Sequence, residues 1–160
     1  MKKLKRVLCL MLAACILTCC LSGCGSKKKP VATMTLEGGD QITIYLYPDQ
    51  APNTVANFIS LANAGFYDGL TFHRVVEDFI IQGGDPNGDG TGGPGYTIDG
   101  EFADNGFKKN DIKMEEGVIA MARFSDSGSD TEEAYNSAGS QFFILMVDKD
   151  SLQGQYAAFG

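Results

Sequence analysis

Few side chains in this 160-residue sequence are of the types that attack a substrate, ligate a metal or shuttle protons. There is one histidine, His73. All five cysteines (Cys9, Cys15, Cys19, Cys20 and Cys24) fall within the first 24 residues. From Gly25 onward the chain therefore offers no thiol nucleophile, no cysteine-based zinc site and no disulfide framework. Asp85-Pro86-Asn87-Gly88-Asp89-Gly90 has the opening of a calcium loop. The register then demands a glutamate at the twelfth position and finds Tyr96, so no metal is expected there. Asp126-Ser127-Gly128-Ser129 looks like a fragment of a serine-hydrolase site, but no nucleophile elbow accompanies it. Hydrolysis is set aside. Charge is lopsided too: 13 − 20 = −7 overall, and 9 − 20 = −11 without residues 1–23, which hold Lys2, Lys3, Lys5 and Arg6 and no acid. A domain this acidic is a poor binder of a phosphate backbone, and no nucleic-acid partner is expected.

The elements that position these residues follow from periodicity. Residues 32–37 and 41–47 alternate as strands about a turn at Gly38-Gly39-Asp40. A helix follows: Pro52 suits its first turn, Gly65 its stop, and Val55, Phe58, Ile59 and Ala62 recur at i, i+3, i+4 and i+7. Short apolar runs then occupy residues 70–76, 79–82, 117–122 and 141–147, split by Gly, Pro and Asp. Many short strands with one early helix predict a mainly-β domain, an antiparallel barrel or sandwich. The length suits one domain.

The N-terminus reads as an address. Residues 1–6 are basic, and residues 7–21 form an apolar stretch of about 15 residues, short of the ~20 a membrane span needs. Leu21-Ser22-Gly23-Cys24 follows and resembles the bacterial lipoprotein signal, the lipobox. The resemblance implies that residues 1–23 are a signal peptide cut before Cys24, whose sulfur receives a diacylglycerol. Two or more acyl chains, such as palmitate, give stable membrane attachment. Residues 24–30 would be the lipidated cysteine and a flexible tether. The expected place is the extracytoplasmic face of the cell membrane.

Between these termini lie several ordered blocks. Tyr67-Asp68-Gly69-Leu70-Thr71-Phe72-His73-Arg74-Val75-Val76 is followed by Phe79-Ile80-Ile81-Gln82-Gly83-Gly84-Asp85-Pro86. Then come Gly92-Gly93-Pro94-Gly95-Tyr96, Glu101-Phe102, Gly117-Val118-Ile119-Ala120-Met121-Ala122 and Gly139-Ser140-Gln141-Phe142-Phe143-Ile144. Together they resemble the cyclophilins, over about residues 31–160. The resemblance implies an eight-stranded antiparallel β-barrel with two capping helices and a peptidyl-prolyl cis–trans isomerase activity that needs no cofactor. It implies catalytic roles for Arg74, Phe79 and Gln82, and substrate binding by Ile80, Ala122, Phe143, Leu152 and Tyr156. The expected partners are proline-containing segments of unfolded or exported proteins, met by a monomer.

Those residue types suit the reaction. Rotation about an X–Pro bond faces a barrier of ~18–20 kcal/mol and takes roughly tens of seconds unaided. No bond breaks. Twisting localises the lone pair on the prolyl nitrogen, where a guanidinium such as that of Arg74 can donate a hydrogen bond. One charged hydrogen bond contributes ~1.5–3 kcal/mol net, whereas a rate gain of about 10⁵ requires ~7 kcal/mol. An apolar wall from Phe79, Ile80, Phe143 and Leu152 would add to it by gripping the ring and excluding water. Gln82, and Ala122 through its backbone, would hold a peptide carbonyl while the chain pivots.

The chain departs from the family pattern in its late groove segment. Ser151 stands where the family commonly has tryptophan, and Tyr156 where it has histidine. Tyrosine keeps an aromatic body with a polar tip. The missing tryptophan implies weak binding of cyclosporin-type inhibitors. Residues 123–136, with Asp126, Asp130, Glu132 and Glu133, are longer than the pattern expects; beside the family's groove they read as a solvated loop, the alternative being a flap that selects substrates. The last residues fall inside a block that usually continues, so the domain is expected to lack its last helix and strand. The competing class is a non-catalytic module that holds proline segments without turning them. Arg74 separates the two, because a module that does not catalyse has little use for it.

Overall fold

The structure, a computed structural model, describes residues 29–124 and 131–160. Cys24 with its lipobox, Asp126, Asp130 and the Asp126–Ser129 tetrapeptide lie outside the described residues.

The first two strands, β1 (Val31–Thr35) and β2 (Gln41–Tyr45), pair antiparallel with Thr33 opposite Thr43. Gly39, at φ +90°, closes the turn, with its N–H donating to Leu36 O and the Leu36 N–H donating to Asp40 O. That left-handed conformation is costly for any residue with a Cβ.

Helix α1 (Pro52–Asn63) starts with proline in its first turn but has no side-chain cap of its own. Glu101, 47 residues on from Thr54, supplies it. Its buried carboxylate accepts from the Asn53 N–H (3.0 Å), the Thr54 N–H (2.8 Å) and the Thr54 hydroxyl (2.8 Å). A carboxylate here satisfies orphan donors and complements the positive end of the helix. The buried face is Thr54, Val55, Asn57, Phe58 and Leu61, while Ala62 is exposed. The stripe expected from Val55, Phe58, Ile59 and Ala62 is thus rotated. The Glu101 contact draws Thr54 inward, and Leu61 replaces Ala62.

The second sheet runs in the order β3 (Arg74–Val76), β4 (Ile80–Gly83), β6 (Phe142–Leu145), β5 (Ile119–Met121), all antiparallel. Its register decides everything downstream. Arg74 lies opposite Gln82, Gln82 opposite Phe143, and Phe143 opposite Ala120. Residues directly opposite share a face, and alternate residues along a strand return to it. One face therefore carries Arg74, Gln82, Ile80, Phe143, Leu145 and Ala120. The other carries Ile81, Phe142, Ile144, Ile119 and Met121.

Those two faces build two separate apolar clusters. Phe142, Ile144, Ile119 and Met121 join Ile44, Leu46, Val55, Phe58 and Phe159 in the main core. Phe142 meets Phe58, Tyr67 and Phe72 edge-on, at ring distances of 6.0, 5.8 and 6.4 Å. Ile80, Ala120, Phe143 and Leu145 form the second cluster on the opposite face.

The chain end ties the sheets together. The Tyr47 N–H donates to Phe159 O, the Phe159 N–H to Ile119 O, and the Met121 N–H to Ala157 O. Among the described residues there are six strands in two antiparallel sheets, bridged by this segment, rather than one closed eight-stranded barrel. The mainly-β, antiparallel class holds. Helix α2 (Glu132–Tyr135) interrupts the expected 123–136 loop; the Thr131 hydroxyl caps it, accepting from the Ala134 N–H.

Candidate active site

The expected site residues converge on the second cluster. Phe79 precedes β4, Ala122 follows β5, Leu152 ends a 3₁₀ turn (Asp150–Leu152), and Tyr156 stands two residues before the bridge at Ala158. All four pack, half-buried, against Ile80, Phe143, Ala120 and Leu145. Tyr156 meets Phe143 edge-on, at 5.2 Å with the planes at 90°. Arg74 and Gln82 lie in the same register row as Phe143, Arg74 exposed and Gln82 half-buried. A polar donor pair thus borders an apolar cluster on one face of one sheet.

Hydrogen bonds fix the polar pair in one orientation. Arg74 Nη1 donates to Gln82 Oε1 at 3.2 Å, and Gln82 Nε2 donates to Gln141 Oε1 at 3.0 Å. Gln141 Nε2 in turn donates to Gly90 O (3.0 Å) and Gly92 O (2.9 Å). Both amides are oriented by this chain: each oxygen accepts, each nitrogen donates. Gln82 keeps one N–H uncommitted by this chain of bonds, and the guanidinium keeps donors beyond the one given to Gln82. Gln141, two residues before Phe143 and so on the same face, was not singled out from the sequence. Only the strand register reveals that it holds Gln82.

The loop that anchors Gln141 is built on Asp85. This carboxylate, 1% exposed, accepts from the backbone N–H groups of Asn87, Asp89 and Gly90. Burial pushes its pKa up, but those three donors and the nearby His73 outweigh burial and hold it below the ordinary carboxylate value. Gly92 belongs to the same design, since a Cβ there would land on Asp85 Oδ1. The stretch that mimicked a calcium loop is a backbone cradle closed on its own aspartate.

Ala122 differs from its expected role. Its N–H donates to Gln141 O at 2.9 Å, so the backbone group it has left for a peptide is its carbonyl. It would accept an amide N–H rather than hold a carbonyl. Ser151 is exposed, and its carbonyl accepts from Gln155 Nε2. His73 has both ring nitrogens buried without a hydrogen-bond partner among the described residues. Lys149, also missed in the sequence, holds its ammonium 5.4 Å from the Phe79 ring centre. A separate cavity of about 800 Å³ opens between β1, α1, Tyr67, Phe72 and Phe142, and no expected site residue lines it.

Residues 31–160 match the model of the cyclophilin type peptidyl-prolyl cis-trans isomerase/CLD family. The chain is 50% identical over 125 residues to peptidyl-prolyl cis-trans isomerase B of Bacillus subtilis, covering 78% of each protein. It is 44% identical over 119 residues to a peptidyl-prolyl cis-trans isomerase of Synechococcus elongatus, covering 74% of this chain and 71% of that one. Among solved structures, it resembles a cyclophilin type peptidyl-prolyl cis-trans isomerase of Cryptosporidium parvum crystallised in the presence of the dipeptide Ala-Pro. The TM-score is 0.67 at 32% identity, covering 82% of this chain and 77% of that one. With the family model over residues 31–160 and these relatives together, the chain belongs to the cyclophilin-type peptidyl-prolyl cis–trans isomerases, and the reaction it catalyses is rotation about X–Pro peptide bonds.

Proposed function

We propose that Arg74 is the electrostatic catalyst of this rotation and that Gln82, Phe79, Ile80, Ala122, Phe143, Leu152 and Tyr156 hold the proline segment against it. One observation supports this reading above the others: Arg74, Gln82 and Phe143 share a single register row. A proline ring seated on Phe143 would bring its nitrogen beside a guanidinium already oriented by Gln82. Little reorganisation is then needed as the amide twists, which is where a preorganised donor contributes most. The apolar wall would exclude water from the planar amide, the more polar of the two states. A proline-isomer assay on one model peptide tests the assignment. Catalysis that vanishes with the groove substitutions supports it, and full activity in all of them would refute it.

The same reading places the enzyme outside the cytoplasm. A basic leader, an apolar stretch and a lipobox at Cys24 precede a short tether, and no helix among the described residues is long and apolar enough to cross a membrane. The substrates would be exported polypeptides refolding near the membrane, met by a monomeric domain. Cys24→Ser is expected to abolish both cleavage and acylation, leaving the chain in its precursor form. Mass spectrometry of the mature N-terminus is expected to find an acylated Cys24. A free thiol there would defeat the anchor.

A further inference from the structure

Tyr156 stands in an irregular segment, just after Gly154 (φ +81°), with no strand or helix to fix its ring. Yet it is the aromatic that meets Phe143 at right angles in the groove. Its support comes from Arg123, the residue after Ala122. Arg123 Nε donates to Gln155 O at 3.0 Å, and Nη1 donates to Phe124 O at 3.2 Å. The guanidinium carbon then lies 5.0 Å from the Tyr156 ring centre, 4.9 Å from that of Tyr135 and 5.7 Å from that of Phe102. Phe102 and Tyr135 are themselves packed edge-on at 5.2 Å.

We infer that Arg123 is a positioning residue for the proline pocket, setting the plane of the Tyr156 ring and so the shape of the wall that Tyr156 makes with Phe143. The inference rests on the proposal that Tyr156 lines the pocket. Three features favour a guanidinium for this task. It is flat, so it can stack on two rings. Its fork reaches two carbonyls at once. It is weakly hydrated, so half-burial costs it less than it would cost an ammonium. Tyr135 lies in α2 and Phe102 beside a 3₁₀ turn (Ala103–Asn105), so both rings are backed by ordered structure. Arg123 thereby transmits the rigidity of those elements to Tyr156.

A residue acting through Tyr156 should alter how well a peptide binds and leave the chemistry at Arg74 alone. In the full chain held in detergent micelles, Arg123→Ala is expected to weaken binding of an Ala-Pro tetrapeptide about five- to tenfold, read as KM and by NMR titration. The saturated isomerisation rate should stay within about twofold. Arg123→Lys, which keeps the charge and the aliphatic stem but not the plane, should recover little of the affinity. If the alanine variant does not fold, the lysine variant carries the same comparison. The deciding measurement is a double-mutant cycle with Tyr156→Ala. If Tyr156→Ala weakens binding and Arg123→Ala then adds nothing, the inference stands. If the two losses simply add, Arg123 does not act through Tyr156 and the inference fails. If Tyr156→Ala leaves binding unchanged, Tyr156 is not part of the pocket, and both the placement and the inference fall.

Discussion

Arg74→Ala is expected to lower kcat/KM for proline-peptide isomerisation about tenfold or more, with little change in the unfolding midpoint. The size follows from the single charged hydrogen bond it removes, worth ~1.5–3 kcal/mol net and more in a water-poor pocket. Each ~1.4 kcal/mol is a factor of ten in rate. Stability should be nearly untouched because Arg74 is exposed, at the end of a three-residue edge strand, and its one described hydrogen bond is to another partly exposed side chain. Arg74→Lys should restore activity only in part. An ammonium supplies the charge, but it cannot bond Gln82 and point a second donor at the prolyl nitrogen in one plane. A variant without Arg74 that turns over as fast as the parent would end this account of the mechanism.

Asp85→Ala should act on both stability and rate. Removing the carboxylate strands three backbone N–H groups that now have an acceptor. The three donors are only partly buried, so water can take up some of them, and the expected loss is about 1–3 kcal/mol in total, a noticeable share of a domain's ~5–15 kcal/mol. The loop also loses its shape, and with it the Gly90 and Gly92 carbonyls that hold Gln141, then Gln82, then Arg74. The rate of the folded fraction should therefore fall as well. The same carboxylate predicts a pH dependence. Its pKa is depressed in the folded state, so its contribution is present above the unfolded value of ~3.9 and is lost as pH falls through the lower folded value. Denaturant midpoints measured from pH 6 down to about pH 2.5 should decline more steeply in the parent than in Asp85→Asn. Parallel curves would show that Asp85 carries no such linkage.

Much of this was legible in advance because it is written in short-range patterns. The β1–β2 hairpin, the start of α1 at Pro52 and the four apolar runs that became β3 to β6 are local signals, and the signature blocks named Arg74, Gln82 and Phe143, which the fold brings into one register row. What escaped is long-range. Glu101 caps a helix from 47 residues away, and no local motif announces it. Gln141 resembles any surface amide until register places it beside Gln82. Arg123 resembles a lone surface cation until three rings from three segments surround it. The Ala122 N–H is committed to Gln141 O, which only the folded chain decides.

The adjacency of Phe142 and Phe143 limits how this enzyme can diversify. The first belongs to the main core and the second to the smaller cluster on the opposite face of the sheet, and every neighbour in β6 alternates with them. A point substitution in β6 perturbs one cluster and leaves the other in place, though Phe143 and Leu145 are as buried as Phe142 and Ile144. Inserting or deleting one residue there would exchange the two sets wholesale, surfacing Phe142 and Ile144 and sinking Phe143 and Leu145. Heritable change in this sheet is thus channelled into single replacements, while changes in length are confined to the segments between strands.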